Sequence, residues 1–245
     1  MRATRVVLGG VVVCLVVLLI VAAVVARTRS GRAGPPAGTC EEPVFTTSAD
    51  TGWQDGAYDV VQDMWGNTVG TQTLRACSHA SWSVTATQPD TPSVKTYPHV
   101  HRVFPDVPVR SLSTVDSSYA TTGPGAGTYE FAYDIWLDGF DTPTSTEIMI
   151  WTDTHGNVLH VPRAGTLTSG GRTYTVWRAG RFIAFVGPNA DSGRLDLAAF
   201  LGYAERRGWL SASPVLSRVD FGVEVCSTGG VPTRFDVRDF SVAAP

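Results

Sequence analysis

Three stretches of alternating sequence carry carboxylates opposite plainly apolar faces. Written as an extended strand, residues 146–151 (Thr-Glu-Ile-Met-Ile-Trp) send Ile148 and Ile150 to one side and Glu147, Met149 and Trp151 to the other. Residues 131–137 repeat the arrangement, with Phe131, Tyr133, Ile135 and Leu137 on one face and Asp134 and Trp136 on the opposite one. In residues 219–226, Val219, Phe221, Val223 and Val225 alternate with Asp220, Gly222, Glu224 and Cys226. An ionised carboxylate on such a surface is costly unless it is hydrogen-bonded, solvated in a groove or protonated. Any one of these acids is explained by an exposed position on a one-sided sheet. A face that sets Glu147 beside a thioether and an indole fits neither a solvated surface nor a core, and reads as the floor of a cleft.

Two carboxyl groups facing each other across a sugar-binding groove are the equipment of glycoside hydrolysis, in which one attacks or activates water and the other protonates the leaving oxygen. The tryptophans suit the same chemistry, because sugar rings pack their C–H faces on aromatic planes. Other sites are less well supplied. His99-x-His101 puts two rings on one strand face, with His155 and His160 further on, but no third ligand stands at metal-site spacing, so structural or surface roles are expected and no metal. No Gly-x-Ser-x-Gly elbow occurs, and residues 123–127 (Gly-Pro-Gly-Ala-Gly) make a turn without the context of a phosphate cradle. None of Asn67, Asn157 and Asn189 opens a glycosylation acceptor.

The elements that must hold these acids are mostly strands. Runs rich in Val, Thr, Tyr, Trp and Phe recur between turn signals at 57–62, 81–87, 128–137, 146–152, 173–179, 182–186 and 218–225. One stretch has helical spacing, with Leu197, Phe200, Leu201 and Ala204 at i, i+3, i+4 and i+7, Asp191 or Ser192 available as N-cap and Gly208 placed to end it. The pattern predicts an all-β, two-sheet antiparallel sandwich of jelly-roll type with one α-helix packed on its outside.

Residues 6–26 form an uncharged run long enough to cross a bilayer, with Arg2 and Arg5 before it and Arg27, Arg29 and Arg32 after it. Export is expected, either with the run kept as a single-span anchor on the outer face of the cell membrane or with cleavage and secretion. Residues 27–39 read as a Gly/Pro/Arg spacer, and the folded domain is expected over 40–245. Without residues 1–39 the chain keeps 14 basic against 22 acidic side chains, which makes nucleic acid a poor partner. Cys40, Cys77 and Cys226 then lie in an oxidising compartment, enough for one bridge with one thiol left over.

At residues 146–151 and 132–137 the chain resembles glycoside hydrolase family 12, the small jelly-roll endoglucanases and xyloglucanases: the first run is similar to that family's nucleophile strand and the second to the strand whose Asp sits beside it. Weaker similarities follow in the same order at 58–66, which ends in Met-Trp-Gly, at 95–98, in the helix after Leu195, and at 221–224. Cys40 and Cys77 bracket the Trp65 region as the family's first disulfide does and are the favoured pair, leaving Cys226 free. The resemblance implies a retaining double displacement on β-1,4-glucan, with Glu147 as nucleophile and Glu224 as general acid/base, held protonated by a carboxylate neighbour and partial burial. It implies further that Asp134 tunes Glu147, with the two catalytic carboxyls about 5 Å apart. Trp65, Asp63, Trp151, Tyr97, Trp136 and Met149 are the expected substrate-binding residues, without cofactor, in a monomer whose partner is the polysaccharide. The chain departs from the family at Asp63, where Asn is usual, and after Glu224, where Val225-Cys226-Ser227 replace an aromatic and a polar residue. Such changes leave room for a second reading, a carbohydrate-binding domain that keeps the groove without turnover, and a third, a structural envelope domain.

Overall fold

The computed structural model describes residues 38–65, 69–91 and 93–244; the apolar run at 6–26 and all but the last two residues of the spacer at 27–39 lie outside them. Among the described residues no helix is long and apolar enough to cross a membrane. Fifteen strands are found among those residues, in two sheets. The smaller contains β1 (Phe45–Thr47), β4 (Thr71–Ser78), β5 (Ser81–Thr87), β7 (Asp116–Thr122), β13 (Ser192–Asp196) and β15 (Thr233–Ala243), in the order β1-β4-β5-β15-β7-β13. The larger is built from β2 (Gly52–Asp55), β3 (Tyr58–Val61), β6 (His99–Pro108), β8 (Thr128–Leu137), β9 (Thr146–His155), β10 (Arg163–Ser169), β11 (Arg172–Ala179), β12 (Phe182–Val186) and β14 (Val215–Ser227). Its order is β10-β11-β12-β9-β8-β14-β6-β3-β2, antiparallel except where β12 lies parallel to β9.

The period-2 reading of the three acid-bearing strands holds. Phe131, Tyr133, Ile135, Leu137, Ile148, Ile150, Val219, Phe221, Val223 and Val225 all fall in one core cluster, where they meet Trp82, Val84, Phe235 and Phe240 from the smaller sheet. Phe221 stacks on Phe240 at 5.5 Å, and Tyr133 reaches across to share a hydrogen bond of 2.8 Å with Ser117. Each large side chain so buried contributes on the order of 1.5–3 kcal/mol.

The helix α1 (Leu197–Arg206) buries the four residues its spacing indicated, Leu197, Phe200, Leu201 and Ala204. As expected the helix packs on the sandwich: its apolar stripe joins the main core, with Phe200 edge-on to Tyr174 of β11 and Phe185 of β12. Its cap differs from expectation. The cap is Asp196, whose Oδ1 accepts from the Ala198 N–H at 3.1 Å and the Val115 N–H at 2.9 Å. Ser192 is committed to β13, which pairs with β7, and Asp191 precedes that strand, so neither can cap the helix. Gly208 ends it in the left-handed region, at φ +67°. Cys40 and Cys77 are bridged, with Cα atoms 5.5 Å apart, and Cys226 is free and buried.

Candidate active site

The carboxylates gather on the face of the larger sheet that turns away from the smaller one. Strand β8 lies between β9 and β14. On the β9 side Trp136 stands opposite Glu147 and Asp134 opposite Met149; on the β14 side Asp220 stands opposite Asp134 and Glu224 opposite Glu130. Glu147 and Glu224 therefore flank β8 at different levels along it, yet both line one cleft of about 360 Å³, together with Asp63, Trp65, Tyr97, Asp134, Trp136, Phe140, Asp141 and Asp220. A neighbouring cavity of about 310 Å³ shares Asp63 and Phe140 with that cleft and adds Asp50, His99, His101 and Arg218 to its walls.

Burial and mutual repulsion set the proton inventory. Burial, with the charges of Glu224 and Asp141, raises Glu147 to about 7. Asp134, fully enclosed, is pushed well above the usual carboxylate range by burial and by Glu147, Asp220 and Glu224; its Oδ1 has no hydrogen-bond partner among the described residues. Asp220 rises only to about 7, because Arg218 offsets part of its burial. That guanidinium donates to Asp220 Oδ1 at 2.5 Å and to His99 Nε2 at 2.7 Å, and lies 3.9 Å over the Phe140 ring. Burial and the neighbouring carboxyls thus favour the protonated form of Asp134, and bring Glu147 to an ionisation point of about 7.

His99, His101 and Asp220 bring three potential ligand atoms within 4.8 Å of one another, the third partner that sequence spacing lacked. Arg218 already serves this group, since its Nη2 meets His99 Nε2 while His99 Nδ1 meets the Tyr97 carbonyl at 2.6 Å. Burial, the Arg218 charge and His101 depress His99 well below its ordinary value, consistent with a neutral ring that accepts from the guanidinium. A divalent cation would meet a positive charge there, so the donor set fits a guanidinium network and not a metal.

Of the residues singled out from sequence, Asp63, Trp65, Tyr97, Asp134, Trp136, Glu147 and Glu224 line the cleft. Trp65 is 41% exposed and free to present its ring, whereas Tyr97 is buried with its hydroxyl donating to the Ala132 carbonyl at 3.1 Å. Asp63 adopts a left-handed backbone, φ 45°, which aspartate tolerates better than most residues. Met149 and Trp151 share the cleft face but sit outside the cleft lining, buried in a small cluster with Ala132 and Ala184 beside Leu159, Trp177, Phe182 and Val186. Sequence reasoning passed over Phe140 and Asp141, which come from a turn with no periodicity, and Glu130 and Arg218. Glu130 had a signal: it lies on the alternation that selected Asp134, four residues earlier on the same strand.

An open two-sheet sandwich with paired acids over an aromatic-edged cleft defines a carbohydrate-cleaving class of protein, and comparison with known proteins places the chain within it. The family model described as Glycosyl hydrolase family 12 matches residues 56–244, and the chain belongs to that family; it is a glycoside hydrolase. Among solved structures it is similar to the xyloglucanase domain of NopAA, a type three effector from Sinorhizobium fredii, in complex with cellobiose, with 27% identity over 83% of this chain and 100% of that one and a TM-score of 0.75. It is similar also to a metagenome-derived family 12 endoglucanase, at 26% identity over 84% and 99% of the two chains and a TM-score of 0.74. Endoglucanase cel12A from Rhodothermus marinus gives 25% identity over 82% and 99%, with a TM-score of 0.72. No curated protein sequence matches the chain.

Proposed function

We propose that the domain is a retaining, endo-acting hydrolase of β-1,4-linked glucan, of the cellulose or xyloglucan type. The observation that carries this reading is the convergence of Glu147 and Glu224, from strands on either side of β8, on one cleft with Asp134 between them. Glu147, ionised, attacks the anomeric carbon while Glu224 protonates the departing oxygen; Glu224 then takes a proton from water as the water displaces Glu147. Asp134 lies near enough to Glu147 for their charges to act on one another, and serves to tune the nucleophile electrostatically. Trp65 offers an exposed ring for a sugar face, with Asp63 and Trp136 also lining the cleft and Tyr97 buried in its wall. Support for the substrate class comes from the family and from relatives named as endoglucanases and xyloglucanases, one of them holding cellobiose. The Cys40–Cys77 bridge and the apolar run at 6–26 favour action outside the cytoplasm, anchored or released.

The test is release of reducing ends from a soluble cellulose derivative and from xyloglucan. Glu147→Gln and Glu224→Gln should each abolish it while glucan binding survives. Proton NMR of the first product should show the β anomer; an α product would exclude retention. A wild-type domain that binds glucan without cutting it would instead favour the carbohydrate-binding alternative.

A further inference from the structure

Behind the Glu224 carboxyl stands a second one that the mechanism above leaves without a role. Glu130, on β8, is the direct cross-strand partner of Glu224 on β14 and is fully buried. Its Oε2 accepts from Asn157 Nδ2 at 2.5 Å, and the amide is held in that orientation because Asn157 Oδ1 accepts from the Val158 N–H at 2.9 Å. Its Oε1 is buried and has no donor among the described residues. Burial pushes the Glu130 carboxyl well above the usual carboxylate range, and the Glu224 carboxyl facing it across the strands adds to the rise. Two carboxylates are acceptors only, so their contact becomes a hydrogen bond when one of them carries a proton. With Oε2 occupied by the Asn157 amide, that proton belongs on Oε1.

We propose that Glu130 is a positioning residue for the general acid/base, kept neutral and donating from Oε1 to the Glu224 carboxylate. The inference rests on the reading of Glu224 given above. In the first half-reaction Glu224 gives its proton to the leaving oxygen and becomes a carboxylate. The Glu130 O–H bond stays intact and is shared with that new charge. In the second half Glu224 recovers a proton from water, and Glu130 again ends as it began. No proton is lost or gained by the pair over the cycle, and the charge on the half-buried Glu224 always has a donor beside it.

Glu147, Asp134, Asp63 and Tyr97 bear on Glu224 from the cleft side. Cys226 lies beside both acids, and burial together with their charges pushes its thiol up to about 12. Lys95 donates to the Cys226 carbonyl behind the pair and is the one cation in this set. None of these is a donor to Glu130 Oε1.

The experiment is the pH profile of kcat/KM for Glu130→Gln and Glu130→Leu in the full chain, with thermal unfolding measured alongside. A glutamine amide still donates to Glu224 and still accepts from Asn157, so its alkaline limb should match wild type. Leucine removes the donor and raises the cost of an ionised Glu224. The alkaline limb should then move up by about one unit or more, with kcat falling about tenfold. Glu130→Met gives the same reading should the leucine variant fail to fold. The opposite sign, a limb moved to lower pH in both variants, would mean that Glu130 is ionised and overturns the proposal. An unmoved limb with only a lower Tm would reduce Glu130 to a packing role and overturn it equally. The parent reading is checked separately with Glu224→Gln, which should keep activity on an aryl cellobioside with a good leaving group and respond to azide. Loss of that pattern removes the acid/base assignment itself, whatever Glu130 does.

Discussion

The two faces of strands β8, β9 and β14 both carry enclosed side chains, held by opposite energetics. On the face toward the smaller sheet, Phe131, Tyr133, Ile135, Ile148, Phe221 and Val223 are all fully enclosed, and enclosure is what stabilises them. On the other face Glu130, Asp134 and Asp220 are nearly as enclosed, at 0, 7 and 1% exposure, and enclosure is what they oppose. Two of their oxygens, Glu130 Oε1 and Asp134 Oδ1, have no hydrogen-bond partner among the described residues. The same backbone therefore carries stabilising burial on one side and stored cost on the other. Raised carboxyl ionisation on the second side is the form in which that cost becomes usable for proton transfer.

Substitutions that separate the faces test this contrast. The largest effect is expected from Glu147→Ala, a loss of kcat on the order of 10³-fold or more with no fall in Tm. Phe221→Ala, on the core face of β14, should lose about 3–5 kcal/mol in urea unfolding and leave kcat/KM of the remaining folded enzyme within several-fold of wild type. A Phe221→Ala protein that is stable but inactive, or a Glu147→Ala protein that unfolds as easily as it, would erase the distinction. Cys40→Ser acts on neither face. Opening a bridge that spans 37 residues should cost about 2–4 kcal/mol and leave the pH profile unchanged.

Alternation made much of this contrast legible in the sequence, because a strand with one apolar face states which residues lie opposite. Glu147, Asp134, Trp136 and Glu224 were identified in that way, and their cleft is where the alternation directs them. Alternation gives the face and says nothing about what covers it. Met149 and Trp151 lie on the expected side, but small neighbours, Ala132 and Ala184, let Leu159, Trp177 and Phe182 pack with them. Glu130 lies on the same alternation as Asp134, but its complete burial is not written there. Its burial depends on Glu224, almost a hundred positions on, and on a loop amide, Asn157, and neither contact has a local signature. The helix stripe was read correctly while its cap was not, since Asp196 caps only because β13 continues to that residue.

The smallest expected effect is the sharpest test, because one group should push activity and stability in opposite directions with pH. Glu147 has an ordinary value of 4.5 and is raised to about 7 in the fold, chiefly by burial. Between those values the native state binds more protons than the unfolded one, so its contribution is most favourable below about 4.5 and is lost as pH rises to about 7. The attacking carboxylate, by contrast, forms as pH rises through about 7, so the acid limb of kcat/KM should fall there. Glu147→Gln removes the ionisation and should therefore be more stable than wild type at pH ~8, by about 1–2 kcal/mol after discounting for the solvent that still reaches the site. The difference should shrink toward zero by pH ~4, where the wild-type carboxyl is protonated in both states. Differential scanning calorimetry of the two proteins from pH ~4 to ~8 makes the comparison. A constant difference would mean that the glutamine packs better and that the carboxylate is not the source of strain, while a difference that grows with pH would tie the cost on this face to the charge the reaction needs.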